Sequence, residues 1–524
     1  MEKKKIYDQF LDFVSLEEDL FSFEMKDSYL KFNDKSTGDK EAEELVEKVA
    51  SRLFCMIATI RKIPIIRASP DGAASMIANS LDKKIRESLL KPSNPFSDEE
   101  STFERPVLIL FDRNIDYKMM FFHPWAYQPL VHDLLSIHLN SIQFPRKERK
   151  KKEEISLDSS VDIFWKKNRS IEWPNVSPFI TEMLKEISVT LKTIESLNID
   201  SSNLSQDNKS LSHSNTLSSS NPLSSSSSSE DILLKAKDLG QLVSSVPQLE
   251  RTKRQLQTHT DICQFLLDQV EIRDLDKFYQ TEKSCIFTEK SKSNEEILQL
   301  IKSEKGSKVD KLRLFLIHIL SPSFDSKSFP SFKEKFETLF SSNASSSSPN
   351  DPPKIEEKSH SLPEKAPSFF PLEEEKIEKE FSKIIDYLWK GKEMLKLSKS
   401  SSREKSSIAK LMNSTFNSTM SLLNRGSNEK LCELGIIIQE IVNISDSFSQ
   451  KSFLYLDPKV SSSSTSLPRK TTPFSQCIAF VVGGASYSEY QNICDSLKEK
   501  TTFIYGGTDF PSPTHYLHQL SNLN

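Results

Sequence analysis

The chain has 524 residues, a net charge of −4 and 36% hydrophobic residues. That length allows two to four domains, and the slightly acidic balance argues against a general nucleic-acid binder. Six scattered cysteines (Cys55, Cys263, Cys285, Cys432, Cys477, Cys494) exclude a zinc spacing or a secreted disulfide framework and fit a reducing compartment. No apolar run approaches the roughly 20 residues that span a bilayer, and the start MEKKKIYDQF lacks the apolar core of a signal peptide, so a soluble intracellular protein is expected.

In chain order, Leu45, Val49, Leu53, Phe54, Ile57 and Ile60 keep a helical period. IPIIR (63–67) predicts a short strand, and 71–90 an amphipathic helix opened by Asp71. PVLILF (106–111) is continuously apolar, as expected of a strand buried on both faces. Residues 125–139 are helical again, and this alternation implies a parallel sheet covered on both sides.

Helical patterns dominate 141–470. They include 179–197, 231–250 running on through 264–270, 311–320, 377–395 and 431–444. Residues 201–230 hold 15 serines, and serine runs recur at 341–348 and 461–466, so the segments 198–230, 341–370 and 460–468 are expected to be disordered. Ile232, Ala236, Leu239, Val243 and Val246 alternate spacings of four and three, a coiled-coil-like seam. Two long helices joined by that serine-rich tip predict a projecting hairpin over about 176–275. Its seam either presents apolar surface to a partner or closes on its own mate, and periodicity leaves both open.

Residues 477–482 and 502–506 read as strands, and 488–500 and 513–520 as helices. This tail is too small for a domain, so it must complete the sheet begun earlier. The expected organisation is a remnant of a preceding α/β domain at 1–22, an α/β domain at 23–140, a mainly helical insertion at 141–470, and the rest of the α/β domain at 471–524.

Candidate sites are few. AFVVGGASYSEYQNI (479–493) has the strand–glycine–helix shape of a phosphate loop but no third glycine and no lysine. Ser486 and Glu489 have capping-box spacing and would take the free donors of the helix themselves. Asp112, Arg113 and Asp116 (FDRNID) sit where an open α/β sheet keeps catalytic carboxylates, or else Asp112 and Asp116 cap turns and pair with Arg113. His132 and His138 are six apart and cannot aim at one metal from a helix face, so with His123 they read as buried or capping residues. RKERKKK (146–152) is a solvated loop between domains, or else a nuclear signal or a weak electrostatic patch for anionic lipid. No catalytic, cofactor or metal residue is assigned.

The segment RPVLILFDRNIDYKMMFFHPWAYQPLVHDLLSIHLN (105–140) closely resembles the SM proteins, the Sec/Munc-type regulators of SNARE assembly, and their Sly-type ER–Golgi branch most nearly. Similar segments follow in family order: 7–21, 63–87, 244–260, 311–319, 455–459 and 480–493. The resemblance implies an α/β domain split by a large helical insertion, and a binding protein rather than an enzyme. It implies syntaxin-like Qa-SNAREs and assembled SNARE bundles as partners, a monomer, and a cytoplasmic protein held on ER and Golgi membranes through those partners. The SNARE platform would fall on Ile232, Leu239, Leu242, Val243 and Val246. The family's first α/β domain, with its pocket for the syntaxin N-terminal peptide, has no matching positions here. Against this stand two other readings, a nucleotide-dependent α/β enzyme using Gly483–Gly484 and Asp112, and a vestigial scaffold without SNARE binding.

Overall fold

The computed structural model of the chain describes residues 9–92, 94–96, 104–145, 152–207, 229–288, 292–342, 370–400, 431–445, 452–460, 470–497 and 501–523. Its centre is a seven-stranded sheet in the order β1-β2-β9-β8-β4-β3-β7. The strands are β1 (Val14–Glu17), β2 (Leu20–Ser22), β3 (Ile65–Ala68), β4 (Val107–Asp112), β7 (Leu454–Leu456), β8 (Gln476–Val482) and β9 (Thr502–Gly507). β2, β9, β8, β4 and β3 are parallel, and only the edge strands β1 and β7 run antiparallel. β5 (Ser141–Phe144) and β6 (Glu153–Ser156) form a separate two-stranded sheet. The expected doubly wound, mainly parallel sheet is thus observed.

The apolar runs of β4 and β8 have a simple cause. Val107, Ile109, Phe111, Cys477, Ala479 and Val481 enter one core, while Leu108, Leu110, Ile478, Phe480 and Val482 enter the other. A strand with no solvent face has no use for polar alternation. The second core is covered by α2 (Asp39–Ile60) and α3 (Ala73–Leu89), through Val49, Leu53, Ile77 and Leu81. The first is covered by helices from the later chain: α9 (Leu275–Phe287), α10 (Asn294–Lys302), α11 (Lys308–Leu320), α12 (Phe329–Ser342), α13 (Pro371–Ser400), α14 (Glu433–Val442), α15 (Tyr487–Leu497) and α16 (Pro513–Ser521). Phe315 of α11 stacks on Phe332 and Phe336, with ring centroids 5.0 and 4.1 Å apart. Shorter helices α1 (Ser28–Asn33), α4 (Lys118–Phe121) and α5 (Tyr127–Leu135) follow β2 and β4.

The chain divides into two compact units, Met1–Ile155 with Gln269–Asn524, and Ser156–Asp268. This differs from the expected boundaries in three ways. Residues 14–22 are not a leftover of another domain, because β2 pairs with β9 from Leu20↔Tyr505 to Ser22↔Gly507. Helices α9 to α14 belong with the sheet, since their apolar faces fill its first core. The return to the sheet begins at β7, before 471, where Ile66 faces Leu456 and Arg105 holds Asp457 through two hydrogen bonds of 2.9 and 2.7 Å.

The second unit holds α6 (Ile163–Asn168), α7 (Val176–Asp207) and most of α8 (Ser229–Arg273). Residues 198–207 and 229–230, assigned above to a disordered tip, are helical, and so are 341–342. The remainder of that tip (208–228), of the second loop (343–369) and of the third (461–468) lies outside the described residues, as does 146–151 of the basic stretch.

Candidate functional site

The glycine turn closes on itself. After β8, Gly483 and Gly484 take φ of +94° and +112°, a region that favours glycine. The N–H of Gly483 donates to Thr508 Oγ1 (3.0 Å), that of Ala485 to the Asp509 carbonyl (2.8 Å), and that of Ser488 to Ser486 Oγ (3.1 Å). A Cβ on Gly483 would meet Tyr29 and Arg113 at 3.2 and 3.3 Å, and one on Gly484 would meet Pro511 at 3.2 Å. Protein atoms therefore occupy the space over the turn, and the N–H groups of Gly483, Ala485 and Ser488 are already paired. A phosphate would need both.

Ser486 caps α15 as its spacing predicts. Glu489 does not complete the capping box. It turns inward, where the Arg113 guanidinium donates to both its oxygens at 2.6 and 2.8 Å, with the two side chains 1% and 0% exposed. The Tyr505 hydroxyl adds a 2.8 Å bond to the same carboxylate. Arg113 also donates to the carbonyls of Gly484 (3.4 Å) and Asp116. Burial opposes the charge of Arg113, but Glu489 outweighs it and raises the guanidinium pKa further. So Arg113 hydrogen-bonds the carboxylate of neither Asp112 nor Asp116. It is the internal cation that joins the loop after β4 to the helix after β8.

The two aspartates cap, as one of the sequence readings had it. Asp112 Oδ1 accepts from the N–H of Ala74 (3.0 Å) and so caps α3 from the neighbouring strand, a task assigned above to Asp71, which instead sits in a turn at φ +58°. Burial pushes the Asp112 carboxyl up to about 6, although the N–H groups of Ala74 and Ala73 pull it down. A raised carboxyl at a strand end is a common catalytic signal. Here a Cβ on Gly72 would lie 2.3 Å from Asp112 Oδ2, so the carboxylate faces protein. Asp116 Oδ1 accepts from the N–H of Lys118 (2.9 Å), and the Lys118 ammonium is ion-paired with Glu433.

The three histidines serve different ends. His123 is buried between Glu282 (Nδ1 to Oε1, 2.7 Å) and Asp310 (Nε2 to Oδ1, 3.1 Å), and its own N–H donates to Glu282 Oε2 at 2.8 Å. Arg273, the last residue of α8, donates to Asp310 at 3.0 and 2.5 Å, and Ser307 N–H does so at 2.8 Å. His132 accepts from the N–H of Ile137 (3.1 Å) and is pushed down to about 4 by burial. His138 is not buried; it is half exposed and lies 3.2 Å from Glu24. Among the described residues no group of three His, Cys, Asp or Glu side chains is placed to hold a metal ion.

One arrangement was not legible in sequence. Cys285 Sγ lies 3.9 Å from His318 Nδ1, and His318 Nε2 lies 2.8 Å from Asn294 Oδ1. These are the groups of a cysteine–histidine–asparagine nucleophile. Nucleophilic attack needs a thiolate beside an imidazolium. Burial pushes the Cys285 thiol up to about 12 and His318 down to about 4, the reverse of that requirement. Native protein is expected to alkylate Cys285 with iodoacetamide at least about a hundredfold more slowly than unfolded protein. Peptide mass spectrometry reads the rate, and equal rates would show a reactive thiol.

The seam residues Ile232, Leu239, Leu242, Val243 and Val246 all lie on α8. Val246 is half-buried; the side chains of the other four lie outside the described residues. Pro247 follows inside the helix and removes the hydrogen bond that would reach the Val243 carbonyl, so the seam ends at a weakened turn. In the same unit, Asp162 caps α6 through Trp165 N–H (2.8 Å). Its other oxygen lies 3.0 Å from His259 Nε2 on α8.

A mainly parallel sheet whose phosphate-like turn is filled, with helices over both faces, defines an α/β protein whose glycine turn serves the fold. A family model described as the Sec1 family matches residues 1–519, and the chain belongs to that family. It is similar to the SEC1 family transport protein SLY1 of Arabidopsis thaliana, 29% identical over 534 residues that cover 99% of this chain and 75% of the relative. The solved structure of Sly1p in complex with an N-terminal peptide of Sed5p matches with a TM-score of 0.63 and 22% identity, over 99% of this chain and 74% of that one. The SM protein Vps45 in complex with the Qa SNARE Tlg2 (1–310) matches at 0.62 and 15%, over 98% and 75%. Among the described residues, no helix is long and apolar enough to cross a membrane.

Proposed function

We propose that this chain is a SNARE-binding factor of ER–Golgi transport that promotes SNARE assembly and catalyses no bond-making step. The match of the Sec1 family to residues 1–519, together with the Sly-type relative, carries this reading. Sly1p binding a Sed5p peptide and Vps45 binding a Qa SNARE support a syntaxin-like partner. The glycine turn and Asp112, the parts an enzyme would use, are taken up in holding the fold together.

The work is done by binding. Nucleating a helical bundle fixes several residues for each hydrogen bond gained, so the first turns are costly. A surface that holds one helix extended and in register lowers that cost before the others arrive. The α8 seam, Ile232, Leu239, Leu242, Val243 and Val246, is the proposed platform, and membrane attachment is peripheral, through the bound SNARE. Pull-down with a Qa-SNARE and with an assembled four-helix bundle tests both levels. Wild type is expected to bind, and L239D/V243D to lose at least about tenfold in bundle affinity, roughly 1.4 kcal/mol, with an unchanged circular dichroism spectrum. A folded double variant that binds normally would move the platform elsewhere. Wild type that binds neither partner would refute the function.

A further inference from the structure

His515, in the first turn of α16, uses both ring nitrogens on carboxylates from two other helices. Nε2 lies 3.1 Å from Asp27 Oδ1 at the start of α1, and Nδ1 lies 3.6 Å from Glu373 Oε1 in the first turn of α13. A neutral imidazole has one N–H and no charge, so only the imidazolium both hydrogen-bonds Asp27 and ion-pairs with Glu373. The other Glu373 oxygen is buried and has no hydrogen-bond partner among the described residues. The charge on His515 is therefore the main polar compensation this carboxylate has.

We propose that His515 is a proton-operated latch: protonated, it ties the first turn of α13 to α1 and α16, and deprotonated, it keeps one carboxylate and releases the other. The groups facing it come from every neighbouring element. They are Asp27; Glu373 of α13; Asp509 before α16; His518 within α16; and His132 of α5, while Glu24 acts on Asp509 and Lys376 on His518. The acids outnumber the cations, and the balance favours the proton. Glu373 raises the ring above the ordinary histidine value, against burial, with Asp27 and Asp509 adding to it. His518, one turn on, is shifted downward by burial, and the Asp509 carboxyl stands at about 6. Only His515 is held on the high side of neutral histidine in this cluster.

For a group whose native pKa is raised, the stabilisation is complete below the unfolded value, about 6.5, and is lost as pH rises through the native one. The latch therefore opens on the alkaline side. α13 also carries Tyr387, whose hydroxyl lies 3.0 Å from that of Tyr29, and Lys376, which holds Asn522 at the end of α16. Release at His515 is confined to the first turn, upstream of these two fastenings.

Hydrogen exchange of residues 371–377, corrected for the intrinsic pH dependence of amide exchange, tests the proposal between pH 6 and pH 8. Protection in wild type is expected to fall about two- to fivefold across that range, the size suited to a partly exposed ion pair. His515→Gln is expected to be low and flat. A fall of the same size in the variant, or no fall in wild type, would overturn the latch. A second readout does not depend on the variant's folding: the ring resonances of His515 in histidine-labelled wild type should titrate with a midpoint above about 6.5. A midpoint at or below that value would overturn the proposal as well.

Discussion

Glu489→Ala is expected to destabilise the first unit by about 3–5 kcal/mol, because it leaves the Arg113 guanidinium charged and buried with no counter-ion. The carbonyls of Gly484 and Asp116 would still accept from Arg113, but they do not cancel its charge. The Tyr505 hydroxyl would lose its acceptor at the same time. Urea denaturation followed by tryptophan fluorescence measures the loss. Replacing both partners, R113M/E489M, is expected to recover most of it, since a buried pair exchanged for apolar groups of similar size is often close to neutral. A loss below about 1 kcal/mol in Glu489→Ala would mean that water reaches Arg113 and that the pair is not the closure described above.

Asp310→Ala is the second large effect, again about 3–5 kcal/mol. Its carboxylate serves Arg273, His123 and the N–H of Ser307 at once. Burial alone would raise the Asp310 pKa; Arg273 and His123 outweigh it and hold the carboxyl well below the usual range. That contribution is present above about pH 4 and is lost as pH falls through the native value. For His123, burial and Arg313 oppose the proton, and Glu282 and Asp310 win, so its pKa is raised. The His123 contribution is complete below about 6.5 and is lost as pH rises through its native value. A urea midpoint measured from pH 4 to pH 9 is expected to be highest between those limits. His123→Gln should reduce the alkaline decline, leaving the part that His515 supplies, and Asp310→Asn should reduce the acid one. If either variant keeps the wild-type slope on its own side, the network is not the origin of that pH dependence.

Much of the sheet could be read from sequence because burial on both faces leaves a plain signal. β3, β4, β8 and β9 are runs of apolar and β-branched residues, and each was placed within a few positions. β1, β2 and β7 were not found. They are three or four residues long at the margins of the sheet, and VSLE or LYL carries no pattern that distinguishes a strand from a loop. Helix ends failed for a related reason. α5 stops at Leu135 because Ser136 adopts φ +51°, and nothing in SIHLN announces a left-handed serine. The buried charges were hardest to see. Arg113 and Glu489 are 376 positions apart, so Glu489 was read as the end of a local motif it does not complete. Local spacing describes a helix start well, but it cannot find a partner that only the fold brings near. The family, by contrast, was legible because many short segments agreed in order.

The middle of the sheet is joined by distant parts of the chain. β4 lies beside β8 from Val107↔Cys477 to Asp112↔Val482. During synthesis at about 5–20 residues per second, β4 waits roughly 20 to 70 s before its neighbour emerges from the ribosome. Throughout that interval an apolar strand edge stands open, a template for any other extended chain in the cell. The chain is therefore expected to be most exposed to aggregation while it is still incomplete. A nonsense mutation between these two strands is expected to yield a product that aggregates rather than a shorter binder.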